Sequence, residues 1–254
     1  LAAVASSALQ IQADQKPYVG SFSLNPIQRW FFENDPAQVN HFNQSLLLRI
    51  DSAISDAHLQ LALGALQQHH DMLRARFQCL DSVWHAAILG PEQSVPFSTL
   101  EISQLQETER HAAIDHAANS VQQSLNVTNG PLWKVLRFKD KHPRDDRLLW
   151  VIHHLAVDGI SWRVLIEDLE LALSQLSLGQ KIDLPAKTAS LPLWSERLAQ
   201  YVQSAAMADE LVYWRSEGER SSPALPKDFI DAAEQDNTLE SLRTITKTLP
   251  AALT

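Results

Sequence analysis

The apolar positions along the chain follow two alternating periods, and each period predicts a type of element. Leu59, Leu63 and Leu66 recur at helical spacing after Ser55, which suits a helix cap, so a helix is expected from there to about Met72. Asn25 caps a short helix, PIQRWFFE over Pro26 to Glu33, because a proline in the first helical position gives up no hydrogen bond. An amphipathic helix is expected from Ser161 to Leu178 with Gly179 beyond its end, and a broad helical region from Leu193 to Glu217. Glu101 to Leu125 reads as one long helix, polar on one side and ended by the Asn129-Gly130-Pro131 breaker. Strands are expected at Asn43 to Ile50, and at RARFQCL and VWHAAILG on either side of Asp81 and Ser82. PLWKVLRF and RLLWVIHH, joined by the polar DKHPRDD, form the strongest hairpin, and TITKTLP reads as a final strand.

Hairpins mixed with helices predict an α/β fold (an α+β sandwich) with a mixed sheet flanked by helices, not a doubly wound parallel sheet. Ser6 to Ser21 reads as a polar linker, and Leu1 to Ala5 as the last turn of a helix belonging to something upstream. The chain begins without Met and stops on LPAALT, so it reads as an excised piece.

Composition narrows the function. At 254 residues with 45% apolar content the chain can bury a real core. It carries 30 acidic against 21 basic residues and a net charge of −9, with no basic run to track a phosphate backbone, so nucleic acid is not expected as a partner. No apolar stretch approaches the roughly 18 residues that span a bilayer, and the N-terminus lacks a secretory pattern, so no membrane contact and a cytoplasmic location are expected. No GxGxxG or GxxxxGK[ST] occurs, which leaves dinucleotide and P-loop chemistry unsupported. Cys79 is the single cysteine; it rules out a disulfide within the chain, and its apolar segment predicts a buried, inert thiol.

The candidate chemistry lies in VIHHLAVDGISWRVL, Val151 to Leu165. Successive strand side chains point to opposite faces, so one of His153 and His154 faces a site and the other faces packing. His154, nearer the turn, is the expected base, and His153 the buried histidine satisfied by backbone. Gly159 permits positive φ, and Asp158 is expected to organise the loop with Arg74 as its partner. The helix beginning at Ser161 and Trp162 would point its unpaired N–H groups toward whatever His154 faces, where a developing anion would be stabilised. Proton removal beside a carbonyl and activation of an attacking amine both fit this arrangement. A metal site is poorly supported, since His153/His154 and His69/His70 are adjacent pairs rather than an i, i+4 pair. His69 and His70 are expected to be exposed at a helix end, and the seven tryptophans to be core.

His153 to Gly159 matches the HHxxxDG signature of the condensation-domain superfamily of nonribosomal peptide synthetases, related in fold to chloramphenicol acetyltransferase. The longer segment HHLAVDGISWRVL resembles the epimerization-domain form HHxxxDxVSWxIL, with Ile160 and Val164 as conservative departures. Pro26 to Phe31 matches the epimerization motif PIQxWF, and HHDMLRARF at His69 to Phe77 resembles HHDALRxRF. The resemblance implies one lobe of a V-shaped two-lobe domain. Residues 1–20 would be a carrier-protein tail and linker, and 21–254 the N-terminal lobe, with the C-terminal lobe absent. It further implies that the Cα of an aminoacyl or peptidyl thioester is inverted from L to D, with His154 catalytic and Asp158 structural. The substrate would arrive on the 4'-phosphopantetheine arm of an upstream peptidyl carrier protein, and no cofactor would be bound intrinsically. A glutamate in an EGHGRE-like segment of the second lobe would complete the site; the nearest string here, SEGERS at Ser216 to Ser221, lacks the histidine. A condensation-type acyltransferase and a non-catalytic scaffold or carrier-docking fragment are the alternatives, and the isolated piece is expected to be inactive.

Overall fold

A mixed four-stranded sheet carries most of the core, and its order follows from where the apolar runs lie. The computed structural model describes residues 13–34, 36–91, 94–140, 146–219 and 243–251. The strands are β1 (Gly20–Phe22), β2 (Asn43–Arg49), β3 (Ala75–Leu80), β4 (Val83–Ile88), β5 (Phe97–Glu101), β6 (Trp133–Lys139) and β7 (Arg147–His153). The helices are α1 (Pro26–Glu33), α2 (Asp56–His69), α3 (Glu107–Gln123), α4 (Gly159–Ser177), α5 (Leu191–Val202) and α6 (Ala205–Glu219). The large sheet has the order β2-β7-β6-β5; a second, three-stranded sheet has the order β1-β4-β3. All pairings are antiparallel except β5 with β6, which are parallel and linked through α3.

Alternation along β7 sorts its side chains between two layers. Leu148, Trp150 and Ile152 meet Leu59, Leu63 and Leu66 of α2 and Trp162, Leu165 and Leu169 of α4 in one apolar cluster. Leu149 and Val151 pack instead with Leu136, Phe138 and Ile102 under Ile114 and Val121 of α3. The small sheet is covered by α1, whose Phe31 and Phe32 pack with Phe77, Ala86 and Ile88. Burying each large side chain contributes about 1.5–3 kcal/mol, so the period-2 pattern fixes the register of β7.

The expected helix at Pro26 to Glu33 has those bounds, closed at its start by a capping box between Asn25 and Gln28. The β3–β4 turn places Asp81 and Ser82 at φ 49° and 64°, as tight hairpins require. Four expectations are corrected. Phe97–Glu101 is strand β5, and the helix read from Glu101 starts at Glu107. The linker read to Ser21 overlaps strand β1, which pairs with β4. The region from Leu193 to Glu217 is two helices, α5 and α6. TITKTLP forms no strand and is exposed. Leu1 to Ala5 and most of the DKHPRDD connection lie outside the described residues.

The chain divides after Ser204 into two compact units. In the second, α6 exposes Val212, Tyr213 and Trp214. Among the described residues, no helix is long and apolar enough to cross a membrane.

Candidate functional site

β7 ends at His153, and the pairing with β2 runs one residue further, the His154 N–H donating to the Phe42 carbonyl at 2.8 Å. The two imidazoles therefore leave the sheet on opposite sides. His153 is fully buried. Its Nε2–H donates to the Val39 carbonyl at 2.9 Å, its Nδ1 accepts from the Leu155 N–H at 3.2 Å, and Phe31 meets it edge-on. Burial drives its pKa down to about 4, against the pull of the Val39 carbonyl, so it is neutral near pH 7. This is the packing histidine that alternation predicts.

His154 sits in a more open setting. Nδ1 lies 2.8 Å from the Val157 carbonyl, which can only accept, so Nδ1 carries the proton. Nε2 then holds the basic lone pair, and it faces the Gln44 carboxamide nitrogen at 3.0 Å. The orientation of that amide is set from its other end, where the Trp162 Nε1–H donates to Gln44 Oε1 at 2.8 Å. The series Trp162 to Gln44 to His154 to Val157 thus fixes one tautomer with every donor pointing the same way. Phe42 stacks on the imidazole, ring centroids 5.1 Å apart.

His154 lines a cleft of about 630 Å³ with Trp30, Phe31, Phe42, Asp158 and Trp194. Within it, among the described residues, His154 and Asp158 are the only titratable side chains. The PIQRWF segment builds part of this wall: Gln28 is buried and reaches the Leu155 carbonyl at 3.5 Å, Phe31 packs on His153, and exposed Ile27 and Trp30 line the mouth. Trp133, Trp150 and Trp162 are core as expected, whereas Trp30, Trp194 and Trp214 are exposed.

The turn after the histidines differs from expectation in three ways. Asp158 is the N-cap of α4; its Oδ1 accepts the N–H groups of Ile160 (3.0 Å) and Ser161 (2.7 Å) and the Ser161 hydroxyl (2.7 Å). The Ser161 hydroxyl first, and then these amides, hold the Asp158 carboxyl below the usual carboxylate range. Ser161 therefore has no free donor for a substrate anion, and Trp162 gives its indole N–H to Gln44. Secondly, Arg74 does not serve Asp158. Its buried guanidinium bonds to Asp71 at 2.6 Å and to the carbonyls of Tyr18, Gln67 and Leu89, tying the N-terminal segment to the start of β3. Thirdly, Gly159 has no positive φ; the turn is made by extended Asp158, and a Cβ on Gly159 would meet nothing within 4 Å.

His69 and His70 are half-buried rather than exposed, because α4 covers the end of α2. His70 Nε2 bonds to Asp168 Oδ2 at 2.7 Å, and burial first holds His70 below its ordinary pKa despite that carboxylate. Donor atoms of His69, His70 and Asp168 lie within 4.8 Å of one another, a cluster that adjacent-pair spacing had argued against as a metal site. Cys79 is exposed, not buried. The thiol lies in a separate depression lined also by Phe22, Trp84 and Phe32 of α1.

Gln44 escaped the sequence reading because no motif contains it. The available signal was positional: along NQSLLLR it shares the inward face with Leu46 and Leu48, and a polar residue on such a face needs partners.

A family profile described as the condensation domain matches residues 19–253. A linear gramicidin synthase of Brevibacillus parabrevis is 39% identical over 92% of this chain and 5% of its own length. Chondramide synthase cmdD of Chondromyces crocatus is 42% identical over 90% of this chain and 6% of its own. Among solved structures, the epimerization domain from the third module of tyrocidine synthetase B superposes with a TM-score of 0.80 at 33% identity, covering 87% of this chain and 50% of that one. The starter condensation domain of rhizomide synthetase gives a TM-score of 0.67 at 23% identity, a likeness of fold. The chain thus spans about half the length of the solved domains and a small part of the synthetases it matches.

Proposed function

The chain belongs to the condensation-domain family of nonribosomal peptide synthetases, and from that premise we propose that it is the N-terminal lobe of an epimerization domain. Residues 21–254 form the lobe in this reading, with residues 1–20 the tail and linker of the preceding carrier protein. The observation that carries the proposal is His154 itself: an imidazole whose Nδ1–H donates to the Val157 carbonyl and whose Nε2 accepts from Gln44, in a cleft holding no second proton-transfer group among the described residues besides the capped Asp158. One base on one wall suits removal of the α-proton of a thioester from one face, with the proton returned on the other face by an acid of a second lobe. The ISW segment after Asp158-Gly159 and the PIQRWF helix support epimerization over condensation, as does the 33% identity to the tyrocidine epimerization domain. Neither packing nor backbone within the described chain requires glycine at 159, which suits close approach of an outside group such as a phosphopantetheine arm.

In the test, the full synthetase is loaded with its L-aminoacyl thioester in D₂O, and α-deuterium and D-product are measured for wild type and His154→Ala. Exchange that disappears in the variant supports the proposal. Peptide-bond formation without exchange in the wild type would place the chain with the condensation domains.

A further inference from the structure

Because Asp158 takes the Ile160 and Ser161 amides at the start of α4, those two N–H groups are closed to an anion formed beside His154, and the Gln44 amide is the side-chain donor beside its basic nitrogen. Resting on the assignment of His154 as the base, we propose that the Gln44 carboxamide is the catalytic donor to the substrate's thioester carbonyl, and that Trp162 is the positioning residue that aims it. The amide nitrogen lies 3.0 Å from the basic nitrogen of His154. The α-hydrogen and the carbonyl oxygen of a thioester are separated only by the Cα–C bond, so a substrate that presents its α-hydrogen to Nε2 brings that oxygen within reach of the same amide. Trp162 holds Oε1, so the end that faces His154 Nε2 is the donor end.

The electron count closes. The C–H pair becomes the Cα–C double bond, the carbonyl π pair moves to oxygen, and the proton goes to Nε2. Nε2 then becomes an N–H and can no longer accept from Gln44. The bound α-hydrogen takes the place of the Gln44 N–H on the Nε2 lone pair, and that N–H turns to the carbonyl oxygen, so the donor is in place when the enolate oxygen forms. Reprotonation of Cα from the opposite face, by a carboxylic acid outside this chain, reverses the electron shift and leaves His154 protonated and the acid as carboxylate; the amide returns to Nε2 once that proton has passed to solvent and the acid has regained one. A donor held in place before the charge develops needs no reorganisation, which is the condition under which such groups contribute most.

The experiment uses the full synthetase in single turnover, with a carrier loaded with carbonyl-labelled aminoacyl thioester in D₂O. Gln44→Leu should slow α-exchange by about 10²–10³-fold, as loss of one such donor does elsewhere. Gln44→Glu, equal in size but without the N–H, should be similarly slow. Trp162→Phe leaves the amide unaimed and should lose roughly tenfold. Infrared bands of the labelled carbonyl give a readout that a purely structural Gln44 would not move: the shift to lower frequency on binding should be lost in Gln44→Leu and Gln44→Glu. Wild-type exchange rates and an unchanged band in both, with His154→Ala silent, would overturn the donor while leaving the base in place. Wild-type exchange in Trp162→Phe would remove Trp162 as the positioning residue. Retained exchange in His154→Ala would instead overturn the base, so the two failures are distinct.

Discussion

The two ends of β7 treat polar side chains in opposite ways. At the Arg147 end, Asp146 and Arg137 are both almost wholly buried; Asp146 Oδ2 takes two guanidinium N–H groups at 2.7 and 3.1 Å, and its Oδ1 takes the Asp140 N–H. Arg137 gives its remaining donors to Asp56 and the carbonyls of Ile54 and Ser52. At the His153 end the groups are a carboxamide, an indole, an imidazole and a backbone carbonyl, and the last two, His154 and Val157, line a cleft. Charges with every partner already inside the chain belong to a structural joint, because any rearrangement would strand one of them. Neutral hydrogen bonds that face a cleft cost much less to exchange for bonds to a substrate, and that end is suited to chemistry.

Substitution at each end should therefore separate rate from stability. His154→Ala should lower α-exchange by about 10²–10⁴-fold, the usual worth of a general base, while thermal unfolding hardly changes. Arg137→Met should do the reverse, leaving the Asp146 carboxylate buried without its partner and costing about 3–5 kcal/mol in chemical unfolding, with exchange per folded molecule intact. A large stability loss in the first variant, or a rate loss in the second that exceeds the loss of folded protein, would erase the division between the two ends.

The histidine end was legible to different depths. The burial of His153, the more open setting of His154 and the turn at Asp158 were readable because strand alternation and a turn residue before a helix are local signals. Arg74 and the α4 donors were misplaced because carboxylates choose partners in three dimensions; Asp158 satisfied itself two and three residues on, and Asp71 took Arg74. β5 was missed for a related reason. FSTLE has no apolar alternation strong enough to declare a strand, and its identity comes from the parallel ladder with β6. Gln44 became visible only when β2 was set in register against β7. What was read well, α1 and the β6–β7 hairpin, depends on caps and apolar runs within one stretch of chain.

The next contrast lies between His153 and His154. His153 has a folded pKa near 4, below the 6.5 of an unconstrained histidine, so the unfolded state binds the extra proton between those values. Stability is complete above about pH 6.5 and falls as pH drops toward 4, by about 2 kcal/mol between roughly pH 7.5 and roughly pH 5. His69 and His70, also lowered by burial, add a slope of the same sign, so the informative quantity is the difference between wild type and His153→Asn. Unfolding of the variant should depend less steeply on pH; an unchanged slope would mean that His153 is not the buried neutral group.

The smallest expected effect concerns Asp158, which stands between the two kinds of end: an ionised group, as at the Arg137 joint, yet exposed at the cleft. Its bonds run to α4 rather than into a charged network, so Asp158→Ala should cost about 1 kcal/mol, the value of one helix cap. Asp158→Asn keeps an oxygen acceptor for the Ile160 and Ser161 amides and should recover most of that stability. The two variants should also differ in rate. In Asp158→Ala the freed start of α4 carries donors and a positive dipole end, so a substrate anion gains a competing place to bind beside the one at Gln44. Exchange should fall several-fold in Asp158→Ala and stay near wild type in Asp158→Asn. Equal rates in the two would mean that the aspartate acts only on helix stability, and that the cleft does not depend on how the end of α4 is closed.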